Sequence, residues 1–208
     1  MGKRSRGRER GIFNGGQLGY QRVVQTIFKT SLTPRQYVEQ AYQKQVRPPE
    51  QCPNCGRAHR LEALAYYERW VTWLKEWLRL WVRRFLCRHC GVSVSCLPDF
   101  AQPYRAMNTA TIAAGFNAQA QGQTVPHWDT VLRGYWRRYQ RHLPVLLRRV
   151  GNAFGPVPLA PTARGFWAQL LGHCGSLARA TRQLVGQFHT CVFGTYRCHQ
   201  RRWPLHAE

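Results

Sequence analysis

The chain has 208 residues, which suits one large or two small domains, and 44% hydrophobic residues with eight Trp exclude wholesale disorder. Thirty-one Lys+Arg against nine Asp+Glu leave a formal charge of +22 and a pI near 10.8, so the natural partner is polyanionic, nucleic acid first. The excess is +7 over residues 1–50, +5 over 51–107 and +10 over 108–208, so no single tail explains it.

Only Lys3, Lys29, Lys44 and Lys75 are lysines; the other basic residues are arginines, whose planar fork matches phosphate oxygens and guanine edges. The longest charge-free stretch, residues 106–128, is full of Asn, Gln and Thr and cannot be a membrane span. No apolar segment follows the basic start, so the expectation is a soluble, cytoplasmic protein.

In chain order, residues 1–19 read as a basic flexible arm that can follow a phosphate backbone. Residues 20–49 read as a helical N-terminal segment, with Thr33 as N-cap and Pro34 at the first helical position. Residues 50–105 hold two Cys pairs and a Pro-containing connector, 92–103. Between the pairs the pattern is divided: Trp70, Trp73, Trp77, Trp81 and Phe85 recur at helical spacing, whereas Leu78, Leu80 and Val82 alternate with arginines as in a strand. Convergence of the two pairs on one ion favours a β-hairpin, because antiparallel strands return the chain simply. Residues 106–150 read as helix, turn, helix: Asn108 caps a segment to about Gln119, and a second helix runs from Pro126 to His142. Pro144 then starts a further short helix to Val150. Residues 151–208 begin with a Gly/Pro linker and continue as a helical region, with helices over 163–171 and 175–188.

Cys52-x-x-Cys55-Gly56 and Cys87-x-x-Cys90-Gly91 have zinc-ribbon spacing. Four thiolates close a tetrahedral Zn²⁺ sphere and leave no position for a reactive water, so a single structural zinc is expected. His89, between Cys87 and Cys90, is the alternative ligand, and Cys96 reads as a small buried hydrophobe. His173, Cys174, His189, Cys191, Cys198 and His199 lack metal-ligand spacing and read as ordinary core or surface residues.

In the segment 127–142, Val131, Leu132, Tyr135 and Trp136 are assigned to a core. Arg133, Arg137, Arg138 and Arg141 fall on the broad opposite side, as on a recognition helix set against a major groove. Arg83, Arg84, Arg88 and Arg105, around and after the second Cys pair, extend this candidate nucleic-acid surface.

The run RFLCRHCGVSVSCLPDFAQPY (84–104), preceded by RPPEQCPNCG (47–56), resembles bacterial mobile-element proteins in which a transposase-type zinc ribbon leads into a helix-turn-helix. That resemblance implies DNA binding linked to transposition in a bacterial, nucleoid-associated setting, with Cys52, Cys55, Cys87 and Cys90 as ligands. Two-metal phosphoryl chemistry needs about three convergent carboxylates, and the nine acids are scattered, with none between Thr130 and Ala207.

The resulting expectation is an α+β protein: a small four-Cys ribbon flanked by mostly helical regions, with a helix-turn-helix after it. It acts without catalysis as an accessory or targeting subunit beside a separate transposase or recombinase, on duplex DNA. The alternatives are an RNA-binding ribonucleoprotein component, to which Trp70, Trp73 and Trp77 would lend stacking surfaces, and a protein-docking ribbon.

Overall fold

The computed structural model describes residues 23–123, 127–159 and 161–195. The basic arm assigned to residues 1–19, and Cys198 with His199, lie outside the described residues.

The molecule is α+β. Strands β1 (Val23–Phe28), β2 (Glu62–Trp73), β3 (Glu76–Cys87) and β4 (Val92–Pro98) form one mixed sheet in the order β1-β4-β3-β2. The β2–β3 pair is a long antiparallel hairpin, Glu62 opposite Leu86 at one end and Trp73 opposite Glu76 at the other. The helical spacing of the tryptophans is therefore overruled. Tyr, Trp, Val and Phe pack well on a pleated surface, and cross-strand pairing satisfies the backbone along the whole hairpin.

Residues 23–28 form a strand where a helix was expected, because Val23, Val24, Thr26 and Ile27 are β-branched and pair in parallel with β4, Val24 beside Val94. The connector expected over 92–103 begins instead as β4, a central strand buried along its whole length. The Thr33 cap is present as a full capping box at the start of α1 (Pro34–Glu39). Thr33 Oγ1 accepts from the Gln36 N–H at 3.2 Å, and Gln36 Oε1 accepts from the Thr33 N–H at 3.0 Å. Tyr37 of α1 is sealed against the sheet with Val24, Phe85 and Val94.

The second half is helical: α2 (Thr109–Ala120), α3 (Asp129–Val150), α4 (Ala163–Cys174) and α5 (Leu177–Phe188), closed by the short strands β5 (Thr190–Cys191) and β6 (Gly194–Thr195). Asn108 Oδ1 accepts from the Thr111 N–H at 2.9 Å and starts α2 where the sequence places it. Phe116 of α2 lies at the centre of the aromatic core, with Trp136, Tyr139, Trp167 and Phe193 at ring distances of 5.0–5.8 Å.

Helix α3 does not stop before Pro144. The proline sits on the exposed side of one continuous helix, while Leu143 and Leu146 on either side stay buried. The core-facing stripe is Leu132, Trp136, Tyr139, Leu143, Leu146 and Val150; Val131, assigned to it from sequence, is exposed.

Side-chain clasps join the halves. Asn108 Nδ2 donates to the Thr72 carbonyl at 2.7 Å, and Gln102 Nε2 donates to Thr109 Oγ1 at 3.1 Å and Thr181 Oγ1 at 2.7 Å. Asp99 pairs with Arg182 of α5. Burial raises the Asp99 carboxyl above its ordinary range, and the Thr30 N–H and Arg182 oppose that rise.

Where α2 crosses α3, a Cβ on Gly115 would lie 2.6–2.9 Å from Leu132, which is fully buried. Gly134, on the exposed side of α3, meets nothing within 4 Å. Gly115→Ala is expected to destabilise the fold by about 1–3 kcal/mol through overpacking, despite its helix propensity. Gly134→Ala is expected to stabilise it by about 0.4–1 kcal/mol. Chemical denaturation of the two variants beside the parent chain checks both signs.

Candidate metal centre and nucleic-acid interface

The four cysteines meet at the end of the hairpin remote from its tip. Cys52 and Cys55 lie in the loop before β2; Cys87 ends β3 and Cys90 lies in the turn into β4. All four Sγ atoms lie within 4.8 Å of one another, with Cys52–Cys90 at 3.7 Å and Cys55–Cys87 at 3.8 Å. A tetrahedral ion with metal–sulfur bonds of about 2.3 Å needs sulfur–sulfur edges of about 3.8 Å, so the set fits a four-coordinate metal. The distances are far too long for disulfides, which need about 2.05 Å.

Both pairs use the same turn. Gly56 N–H donates to the Cys52 carbonyl and Gly91 N–H to the Cys87 carbonyl, each at 2.8 Å, with φ of +72° and +67°. Those positive angles are where glycine carries no steric penalty. Burial pushes the Cys52 and Cys87 thiols above their ordinary range. Burial also acts to raise Cys90, but hydrogen bonds from Cys87, the Val92 N–H, Asn54 and Cys52 together bring it below. Four sulfurs this close hold their thiolate form when a cation supplies the opposing charge.

His89, the alternative ligand from sequence, is exposed and stands outside the cluster. The histidine at the site is His59, whose Nε2 lies 3.3 Å from Cys87 Sγ. It sits four residues after Cys55 and carries no spacing signal that marks it. Its contact suits an N–H donated to a bound sulfur, the outer-shell role that orients a ligand. Cys96 is buried inside the sheet, its thiol pushed up to about 12 by burial. Cys174 lies against Gln183 at 3.7 Å, Cys191 is buried in the helical core, and His173 is edge-on to Phe154. Among the described residues, Cys52, Cys55, Cys87 and Cys90 are the one cluster with metal-binding geometry.

The arginines assigned to a nucleic-acid surface fall into two groups. Arg133, Arg137, Arg138 and Arg141 are all exposed on α3, with Arg148 and Arg149 continuing the row, and Asp129 is the one acid of that helix, paired with Arg133. Residues 121–128 separate α2 from α3, a longer connection than the roughly 3–4-residue turn of helix-turn-helix motifs. On the sheet side Arg88 is exposed and paired with Glu62, whereas Arg83, Arg84 and Arg105 are half-buried and stacked on aromatic rings. Arg83 lies over Tyr66 and Phe85, Arg84 over Tyr67 at 4.4 Å, and Arg105 over Tyr135 and Phe193.

An aromatic row on the hairpin goes beyond the sequence reading. The register places Thr72 opposite Trp77, Trp70 opposite Arg79, Glu68 opposite Trp81 and Tyr66 opposite Arg83. Trp77, Trp70, Trp81 and Tyr66 are therefore successive diagonal neighbours on one side of the hairpin, spaced about 7–8 Å along the zigzag. They are 50, 48, 44 and 41% exposed. Trp81 and Tyr66 are additions to the stacking candidates, and Trp73 is half-buried. Glu68 is neutralised by Arg79 at 2.6 Å.

Glu39, Glu62, Glu68, Glu76, Asp99 and Asp129 are all engaged in ion pairs with arginine. Among the described residues no helix is long and apolar enough to cross a membrane.

Replacing Cys52 and Cys87 together by Ser is expected to abolish metal binding and melt the sheet half, because ligand-set formation and folding are coupled. Metal content of the purified chain and far-ultraviolet circular dichroism report the two losses. Acidification of the parent chain is expected to release the metal as protons compete for the thiolates.

In comparison with known proteins, no family model, no curated protein and no solved structure matches this chain.

Proposed function

We propose that this chain is a zinc-stabilised, non-catalytic nucleic-acid-binding protein acting on duplex DNA, with the four-cysteine hairpin as a zinc ribbon and α3 as its DNA-facing helix. The observation that carries the reading is the exposed side of α3: six arginines and one acid, itself paired, on a helix of about 33 Å. A surface so short of acids repels itself, and a polyphosphate relieves that repulsion by releasing its own counterions. The closed four-thiolate set favours Zn²⁺ in a structural role, since all four positions are taken by protein. The arginine-paired acids favour binding over metal-dependent strand cleavage.

The resemblance of residues 47–56 and 84–104 to mobile-element proteins extends the proposal to an accessory or targeting subunit that binds while a separate transposase or recombinase cuts. A second reading, contact with unpaired RNA or DNA, is favoured by the zigzag of Trp77, Trp70, Trp81 and Tyr66. Its steps are about twice the 3.4 Å base repeat of one strand, the spacing for a ring between two bases.

Charge reversal at Arg137 and Arg138 to Glu is expected to weaken duplex binding at least tenfold and to reduce the slope of log K against log salt by about 2 or more, with the fold retained. Fluorescence anisotropy across a salt series measures both. Unchanged affinity would move the duplex interface away from α3.

A further inference from the structure

A cavity of about 480 Å³ opens beside the sheet, lined by Val23, Gln25, Tyr67, Arg69, Trp70, Arg84, Ser95 and the loop residues Tyr104, Arg105 and Ala106. Its floor is one row across three strands: Gln25 is in register with Ser95, and Ser95 with Arg84. Gln25 is 8% and Ser95 0% exposed, yet Gln25 Oε1 and Ser95 Oγ have no hydrogen-bond partner, nor do Arg84 Nε and Arg105 Nε. Buried polar atoms left unpaired are costly, and four of them on residues that line one cavity leave hydrogen-bonding capacity for a ligand that reaches them.

The lining states the chemistry of that ligand. Three guanidiniums and no carboxylate border the cavity, which selects an anion. The Arg84 guanidinium lies over the Tyr67 ring at 4.4 Å, and Arg69 Nη2 donates to the Gln102 carbonyl at 2.9 Å, so both cations are held by neighbours rather than swept through solvent. Burial, and then the neighbouring Arg138, lower the proton affinity of Arg105, a strain that a bound anion offsets. Tyr67 and Tyr104 add aromatic walls for a flat ring, and the floor offers an amide oxygen that accepts and a hydroxyl that donates or accepts. Anion, flat ring and hydrogen-bonding edge together describe a nucleotide.

We propose that this cavity receives one unpaired nucleotide of a bound strand, its base over the Gln25–Ser95 floor and its phosphate among Arg69, Arg84 and Arg105. The inference rests on the nucleic-acid reading above and makes it specific: a base held in a stacked pair cannot enter, so the strand offers a single-stranded nucleotide or one turned out of its stack.

The test uses the full metal-loaded chain with three labelled probes: a short mixed-sequence DNA strand, the same sequence as RNA, and a DNA duplex. Gln25→Leu removes a buried unpaired acceptor, so its thermal midpoint should hold or rise, while affinity for the preferred single strand falls about tenfold. Tyr67→Ala should cost about 5- to 100-fold on the same strand. Both variants should bind duplex as the parent does. Preference between the DNA and RNA strands identifies the sugar, and either preference supports the cavity. Single-strand affinity unaltered in both variants overturns the proposal while leaving duplex binding intact. Inorganic phosphate competing as well as a mononucleotide overturns it too, since the base would then go unread. Failure of the parent to bind any of the three probes defeats the nucleic-acid reading itself.

Discussion

Convergence of four thiols at one end of a hairpin of two twelve-residue strands is the constraint on which the sheet half depends. The two Cys pairs are 31 residues apart in the chain, and the antiparallel return of β2 and β3 brings them to sulfur–sulfur distances of 3.7 and 3.8 Å. Burial disfavours the charged form of Cys52 and Cys87, so their thiolates persist there only with a cation to supply the opposing charge, and the four-sulfur geometry fits one. With a metal in place, the ends of β3 and the start of β4 are fixed within one turn. β4 then offers its other edge to β1, and α1 covers the sheet through Tyr37. The cavity floor of Gln25, Ser95 and Arg84 is a product of that register, because each of the three comes from a different strand.

The loop from Asp99 to Asn108 is the second organising element. It supplies Gln102 and Asn108, whose amides reach Thr181, Thr109 and Thr72, and it supplies Tyr104, Arg105 and Ala106 to the cavity wall. The ring stacking of Arg105 on Tyr135 carries the same loop onto α3. On the proposed function, α3 and the cavity are therefore joined through that loop rather than being two independent attachments.

What the sequence disclosed was local. The Cys pairs with their trailing glycines, the Thr33–Pro34 start, the Asn108 cap and the two helices after residue 162 all announce themselves within a few residues, and the structure contains each. Strand β1 escaped because its partner is β4, some seventy residues away, and nothing in VVQTIF records a parallel pairing. Pro144 misled because the stripe of Leu143, Leu146 and Val150, packed into the helical core, carries the helix past a proline that faces outward. His59 and the cavity had no signature at all: the first is placed by a turn, the second by side chains from β1, β2, β3, β4 and a loop.

The hairpin is anchored at both extremities. At one stand the cysteines; at the other, Trp128 donates to the Leu74 carbonyl at 3.2 Å and meets Trp77 edge-on, while Glu76 pairs with Arg35. A beam fixed at each end resists swinging, and twist along it is set by its supports. Its projecting rings thus keep a constant pitch, and a flexible polymer laid along them must adjust its own contour length to that pitch, as a thread does to the teeth of a comb.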